Sequence, residues 1–205
     1  LNYTYIMNKK FLFSLSFILA SLCLSLSAMS QNFYMAEHTG QSIHYAVDRK
    51  NPDCVKIIND FLSNQNYMLL RNSVILSPVA EYQGKTYKVT TISREAFAKA
   101  QDLKEITITA GITTIEKNAF ADCKKLHTLT LYNLRTIGDK AFAGCTALQS
   151  VVIFSSQIPT LGKDVFPIEN ANMTLYVPDS AVPDYKKSEF SKYFSNILPT
   201  SKLGK

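Results

Sequence analysis

The chain has 205 residues, 46% of them apolar, and a formal charge of +6 from 22 basic and 16 acidic side chains. That is ample apolar content for one well-filled core. The basic residues are dispersed, their runs outside the N-terminal segment being the pairs Arg49-Lys50, Lys124-Lys125 and Lys186-Lys187, which argues against the concentrated patch of a nucleic-acid binder.

Residues 1–30 read as a targeting segment rather than as fold. Met7-Asn8-Lys9-Lys10 is the initiator and basic start of a secretory signal, Phe11 to Leu26 its apolar stretch, and Ala28-Met29-Ser30 a cleavage box before Gln31, with Leu1 to Ile6 upstream of the start. Two alternatives stay open. A membrane anchor needs about 20 strongly apolar residues, and a lipid anchor through Cys23 lacks the small residue wanted before the cysteine. The exported chain then runs from Gln31 to Lys205, 175 residues with 20 basic and 16 acidic side chains, and no membrane span is expected in it.

Residues 31–90 are expected to form a β-rich N-terminal cap. Ser42 to Val47 and Cys54 to Ile58 flank the turn signal Asn51-Pro52-Asp53, and Ser73 to Leu76 and Tyr87 to Val89 form a second pair around Gln83-Gly84. Between the pairs, Asn59 to Leu70 is ambiguous: Ile58, Phe61 and Leu62 have helical spacing, while the asparagines favour a loop.

Residues 91–177 repeat. Ile92…Ala96-Phe97, Ile115…Ala119-Phe120, Ile137…Ala141-Phe142 and Leu161…Val165-Phe166 place phenylalanines 23, 22 and 24 residues apart. A fixed period in this range marks a solenoid, in which each coil buries its apolar face only by stacking on the next. Each coil has three apolar stations. The first is strand-like: Leu103-x-x-Ile106-x-Ile108, Leu126-x-x-Leu129-x-Leu131, Leu148-x-x-Val151-x-Ile153 and a degenerate Met173-x-Leu175-x-Val177. The second is Ile112-x-x-Ile115, Leu134-x-x-Ile137 and Ile158-x-x-Leu161, and the third the Ala-Phe pair followed by Ala100, Cys123 or Cys145. The four phenylalanines are expected to stack as an internal column. Cys123 and Cys145, at equivalent places, read as small buried core residues, with a disulfide between them the alternative that an oxidising compartment allows.

The full pattern, I-x-x-x-A-F-x-x-C-x-x-L-x-x-L-x-L, is met at every defined position by Ile115 to Leu131 and, with Gly138 after the isoleucine, from Ile137 onward. It resembles the BspA-type leucine-rich repeats of secreted bacterial surface proteins. The first repeat departs in having Ala100 for Cys, and the fourth in having Val165-Phe166-Pro167 and no Cys. The resemblance implies an α/β repeat solenoid: a short right-handed leucine-rich-repeat solenoid of about four coils with one parallel sheet, short helical turns and the β-rich cap. Residues 178–205 are read as the C-terminal cap and tail, with a short helix over Ser180 to Lys187, a closing strand or turn over Tyr193 to Leu198, and a frayed end from Thr200.

Catalytic signatures are absent from the sequence. His44 and Asp48, like Cys123 and His127, are four apart on segments read as strands, and no further ligand completes a metal site. No phosphate-binding glycine loop or nucleophile elbow occurs. No enzyme, cofactor or metal is therefore expected.

Strand alternation points to what the repeats present outward. One column is Thr107, Thr130, Val152 and Thr174; the next is Thr109, Tyr132, Phe154 and Tyr176. Tyr132, Phe154 and Tyr176, with Thr107, Thr130 and Thr174, are the candidate ligand-binding residues, because exposed aromatics bury large area at low entropic cost. The competing reading is that the rings merely stack and stabilise the sheet. Asp179-Ser180-Ala181 matches a short bacterial O-glycosylation pattern, making Ser180 a candidate modification site. The resemblance implies an exported, surface or periplasmic protein that mediates adhesion or binds a protein or glycoprotein ligand of host or neighbouring cells. The alternative is a structural or assembly component of the bacterial envelope with no host ligand.

Overall fold

A computed structural model of the chain describes residues 32–36, 42–59, 72–168 and 172–204. These lie in one compact unit, Gln31–Lys205. The targeting segment and nearly all of the ambiguous stretch from Asn59 to Leu70 lie outside the described residues.

The N-terminal region opens with an antiparallel meander of β1 (Asn32–Ala36), β2 (Ser42–Asp48) and β3 (Asn51–Ile57). The turn between β2 and β3 falls at Arg49-Lys50, ahead of the Asn-Pro-Asp signal. The Asp48 carboxylate accepts the Lys50 amide at 3.0 Å and closes the turn there. Pro52 is left in the irregular stretch of β3, where the register with β2 shifts and no ladder donor is required.

Next come β4 (Asn72–Leu76), β5 (Val79–Tyr82) and β6 (Lys85–Ile92). The hairpin at Gln83-Gly84 joins β5 to β6, with φ of +50° and +76° at the two loop residues, the backbone that a two-residue hairpin loop demands. The expected pairing of Ser73–Leu76 with Tyr87–Val89 therefore does not form. Instead β4 runs parallel to β7 (Leu103–Ile108), because Val74 and Leu76 are fully buried opposite Ile106 and Ile108. Thr109 Oγ1 donates to the Leu76 carbonyl at 2.7 Å and fixes that first rung.

From β7 onward the chain coils. The strands β9 (Thr128–Leu131), β11 (Ser150–Ile153), β13 (Thr174–Val177) and β14 (Asn196–Pro199) add in parallel to make a six-stranded sheet ordered β14-β13-β11-β9-β7-β4. The single parallel sheet expected from the repeats has a companion. The second apolar station of each coil forms a two-residue strand: β8 (Thr114–Ile115), β10 (Thr136–Ile137) and β12 (Thr160–Leu161). These extend the cap's sheet as β1-β2-β3-β6-β8-β10-β12, with β5 on β6. A threonine precedes a buried isoleucine, or at the last rung the partly buried Leu161, so Thr91, Thr114, Thr136 and Thr160 pair in line.

The third side of each coil was expected to be a short helical turn and is not helical. It is a run of tight turns containing left-handed residues: Glu95, Asn118, Lys140 and Asp164 before the Ala-Phe or Val-Phe pair, then Lys99, Asp122 and Gly144 after it. Each turn is closed locally, as by Ala96 N to Ser93 O at 3.1 Å and Ala100 N to Phe97 O at 3.1 Å, and bonded to the next coil, as by Phe97 N to Ala119 O at 2.7 Å and Phe120 N to Ala141 O at 2.8 Å. A helix directs its amides along its own axis; these turns direct them at the neighbouring coil, so the ladder continues all the way round.

Coils this close leave little room. A Cβ on Gly138 would lie 2.7 Å from the Lys117 nitrogen, and one on Gly162 would meet the Asp139 nitrogen. Both positions need glycine for the approach of backbone to backbone.

The interior is a contiguous core in which Phe97, Phe120 and Phe142 are fully buried and Phe166 nearly so. Consecutive rings are 5.0, 5.1 and 5.4 Å apart with interplanar angles of 12°, 5° and 5°. Burial of each ring is worth about 1.5–3 kcal/mol. The C-terminal cap ends the column. Phe194 and Tyr193 meet Phe166 edge-on at 5.1 and 5.6 Å, and Tyr185, on α1 (Val182–Lys187), is fully buried. Its hydroxyl donates to the Ser155 carbonyl at 3.2 Å, and burial pushes its phenol above the ordinary range. The tail from Thr200 is not frayed at its start: Thr200–Lys202 form a 3-10 turn held by the Asp179 carboxylate, which accepts the Ser201 amide at 3.3 Å.

Among the described residues the cysteines, Cys54, Cys123 and Cys145, are free thiols and buried. Cys123 Sγ donates to the Phe97 carbonyl at 3.1 Å and Cys145 Sγ to the Phe120 carbonyl at 3.2 Å. Each thiol thus caps a carbonyl of the coil before it, and the disulfide alternative is not formed. Hydrogen bonding with Cys123, then burial, raises the Cys145 thiol well above its usual range.

Candidate functional site

The outer face of the six-stranded sheet is built by alternation. Inward positions Val74, Ile106, Leu129, Val151, Leu175 and Ile197 pair rung to rung, so the residues on either side of them must point out. One outward column is Ser73, Glu105, Thr128, Ser150, Thr174 and Asn196; the other is Ile75, Thr107, Thr130, Val152, Tyr176 and Leu198. Just past the strands, Tyr132 N and Phe154 N bond to the Ile108 and Leu131 carbonyls and carry the ladder one residue further. Thr109, Tyr132 and Phe154 thereby begin a third column.

This register corrects the sequence-derived columns at their last rung. Thr174 lies opposite Ser150, not Val152, and Tyr176 lies opposite Val152, not Phe154. The degenerate fourth strand was aligned with Met173 in the place that Leu175 takes. A slip of two residues preserves which side chains face in, so the apolar pattern could not reveal it. The three-ring column is therefore a pair: Tyr132 and Phe154 stack at 4.9 Å and 18°, with Tyr176 in the adjacent column. Thr107 and Thr130 stand in one column as aligned.

Phe154 is 40% exposed and Ile75 58%. Val152, although on the outer side, is 3% exposed, flanked in its column by Thr130 and Tyr176. Within the two paired columns Glu105 is the sole charged residue, and Lys104 and His127 border the face at the start of their strands. The hydroxyls of Thr107, Thr130, Ser150 and Thr174 have no hydrogen-bond partner among the described residues, whereas Thr128 Oγ1 lies 3.3 Å from His127 Nδ1. Ile75, Leu198, Ser150 and Thr128 were not singled out from sequence. The alternation Ser73-Val74-Ile75-Leu76 was the signal available for the first of them.

The turn-bearing side contrasts with this face. It carries Arg94, Lys99, Lys117, Lys124, Lys125, Lys140 and Lys163, interleaved with acids. Glu116 accepts the Arg94 amide at 3.0 Å and Asp139 the Lys163 amide at 2.8 Å, so two carboxylates are committed to neighbouring coils. A recess of about 450 Å³ there is lined by Lys99, Gln101, Asp122, Lys124 and Lys125, with Lys125 tied to Asp102 at 2.8 Å. Among the described residues no group of three His, Cys, Asp or Glu side chains comes together as a metal site. No helix among them is long and apolar enough to cross a membrane. Ser180 is exposed in a 3-10 turn, Asp179–Ala181, beside the buried Ala181.

Comparison with known proteins agrees with this architecture. A family model described as a BspA type leucine rich repeat region matches residues 85–196 in six copies, just over half of the chain. No curated protein matches. Among solved structures, a T. pallidum leucine-rich repeat protein is 20% identical with a TM-score of 0.53, over 77% of this chain and 61% of its own. A leucine-rich repeat protein from Bacteroides capillosus is 21% identical with a TM-score of 0.53, over 66% of this chain and 93% of its own. This chain thus spans less than two thirds of the length of the T. pallidum protein, and at these identities the likeness is one of fold. Leucine-rich repeats are in general scaffolds for protein–protein interaction rather than catalysis. With its repeats, its ladder and the family match in agreement, the chain belongs to the BspA-type leucine-rich repeat family.

Proposed function

We propose that this protein is exported and acts by non-covalent recognition through the outer face of its six-stranded sheet, mediating adhesion to macromolecules of host or neighbouring cells. The observation that carries the reading is the near absence of charge from that face, with the Tyr132–Phe154 stack at 4.9 Å on it, in a chain whose repeat turns are crowded with lysine and acid. An apolar, aromatic centre with uncharged polar groups around it is the composition of a recognition surface. Tyr132, Phe154 and Tyr176 are the proposed contacts, with Thr107, Thr130 and Thr174 beside them. The exported chain begins at Gln31. Residues 31–90 seal one end of the repeats, 91–177 present the face, and 178–205 seal the other end. Ser180 is the residue available for O-glycosylation.

The test is capture of the purified protein on immobilised matrix glycoproteins and on cell-envelope fractions, compared with a Tyr132→Ser/Phe154→Ser/Tyr176→Ser variant whose melting shows it folded. A loss of tenfold or more is expected. Unchanged capture by the folded variant would overturn the reading and leave the rings as sheet stabilisers in a structural envelope component. Mass analysis of protein from the culture medium, expected to begin at Gln31, tests the export step.

A further inference from the structure

We infer that the ligand of the strand face is a neutral glycan chain laid across the rungs; this rests on the strand-face reading above and narrows it to one chemical class. Size is the first argument. Six rungs about 4.8 Å apart and three outward columns two residues apart span roughly 24 Å by 14 Å, a few hundred Å². A stable interface with a globular partner takes about 800 Å² on each side. The strip, with Glu105 its one charge in the paired columns, is too narrow for that and long enough for a linear polymer.

Chemistry then selects the polymer. The column Thr128, Ser150, Thr174 and Asn196 presents side chains that both donate and accept, one per rung. The Ser150 and Thr174 hydroxyls have no partner among the described residues. A hexose in an extended glycan advances by nearly one rung, so successive sugars meet successive side chains. An extended peptide advances ~3.3 Å per residue and repeats its side chains every second residue, out of step with the rungs. Peptides are also captured mainly through backbone bonds at sheet edges, and this face offers side chains. Beside the hydroxyl column, the half-buried Tyr176 and the exposed Phe154 form an apolar flank suited to the C–H faces of sugar rings. With Glu105 the single charge within the paired columns, a uronic or sulfated chain has nothing cationic to neutralise it there.

The experiment is titration of the purified full-length chain with cellohexaose, maltohexaose, laminarihexaose and chitohexaose, alongside their monosaccharides and hexagalacturonate, followed by calorimetry and by amide shifts in β9, β11 and β13. At least one neutral hexaose is expected to bind at least tenfold more tightly than its own monosaccharide, with hexagalacturonate silent. A Thr128→Val/Thr174→Val variant, which keeps the branched strand-forming shape, is expected to weaken that binding by tenfold or more. The inference is overturned if no neutral hexaose binds at millimolar concentration, or if the double valine variant binds as tightly as the parent. If the hexaoses fail while the ring variant still loses capture on matrix glycoproteins, the face remains a binding site and its ligand is protein rather than sugar.

Discussion

Inside the coils, Phe120 lies 5.0 Å from Phe97 and 5.1 Å from Phe142; outside, Tyr132 lies 4.9 Å from Phe154. The two stacks share a spacing because both inherit it from the rungs. They differ in what surrounds them. The inner rings are fully or almost fully buried, and the inner column closes on an edge-on cap of Phe194 and Tyr193, so its rings gain the full transfer from water. The outer stack runs over one rung step, and Phe154 keeps 40% of its surface exposed. Ring–ring contact alone is worth about 0.5–1.5 kcal/mol, so geometry that looks equivalent carries much less stability outside than inside. That difference is what frees the outer pair for a partner.

The largest effect expected follows from breaking the inner stack. Phe120→Ala removes a ring with neighbours on both sides and should cost about 3–5 kcal/mol, whereas Phe154→Ser should cost no more than the ~0.5–1.5 kcal/mol of its ring contact with a little burial added. Urea melts of the two variants decide it. Equal losses would mean that the outer pair is structural after all.

A smaller effect should come from spacing rather than ring removal. Gly138→Ala sets a methyl 2.7 Å from the Lys117 backbone nitrogen, and the strain should cost about 1–3 kcal/mol. It presses apart the coils that carry Phe120 and Phe142 and leaves the step bearing Tyr132 and Phe154, one coil further on, alone. Stability should therefore fall while ligand capture is retained, measured by melting and by the capture assay on one preparation.

The inner column was legible in the sequence because its period is fixed and its residues are uniform: each Phe follows a small residue and sits 22 to 24 residues from the next. The outer face was legible only where the strand pattern is complete. At β13 the missing leucine of L-x-x-L-x-L let the alignment slip by two, and alternation is blind to such a slip. At β4 the strand lacks the first leucine altogether, so Ser73 to Leu76 looked like half of a hairpin; its assignment came from burial of Val74 and Leu76 against the next coil. The tight turns left a weaker trace still. Left-handed backbone is usually announced by glycine, and here it falls on Glu95, Lys99 and Lys140, residues that signal helix when read locally. Bonds to the neighbouring coil, which no single repeat contains, hold them there.

The smallest expected effect separates the two stacks by pH. The Asp179 carboxylate accepts from Ser201, and its hydrogen bonds to the Ser201 side chain and then the Ser201 amide hold its pKa below the usual carboxylate value. A carboxyl depressed in the folded state contributes stability above its unfolded pKa, about 3.9, and that contribution is lost as the pH falls through the folded value. Acidification should therefore release the turn Thr200–Lys202 and loosen the adjoining β14, which places Leu198 on the outer face. The inner cap should not respond, since Phe166, Phe194 and Tyr193 pack there through their aromatic rings and not through a carboxylate. Protection of the Ser201 amide, the intrinsic exchange rate at each pH divided by the observed one, should fall between neutral pH and about pH 2 well before that of Phe194, and Asp179→Asn should abolish this change in protection. Simultaneous loss at both sites would show that the outer edge and the inner column open as one unit, and that the separation drawn between them does not hold at this end of the molecule.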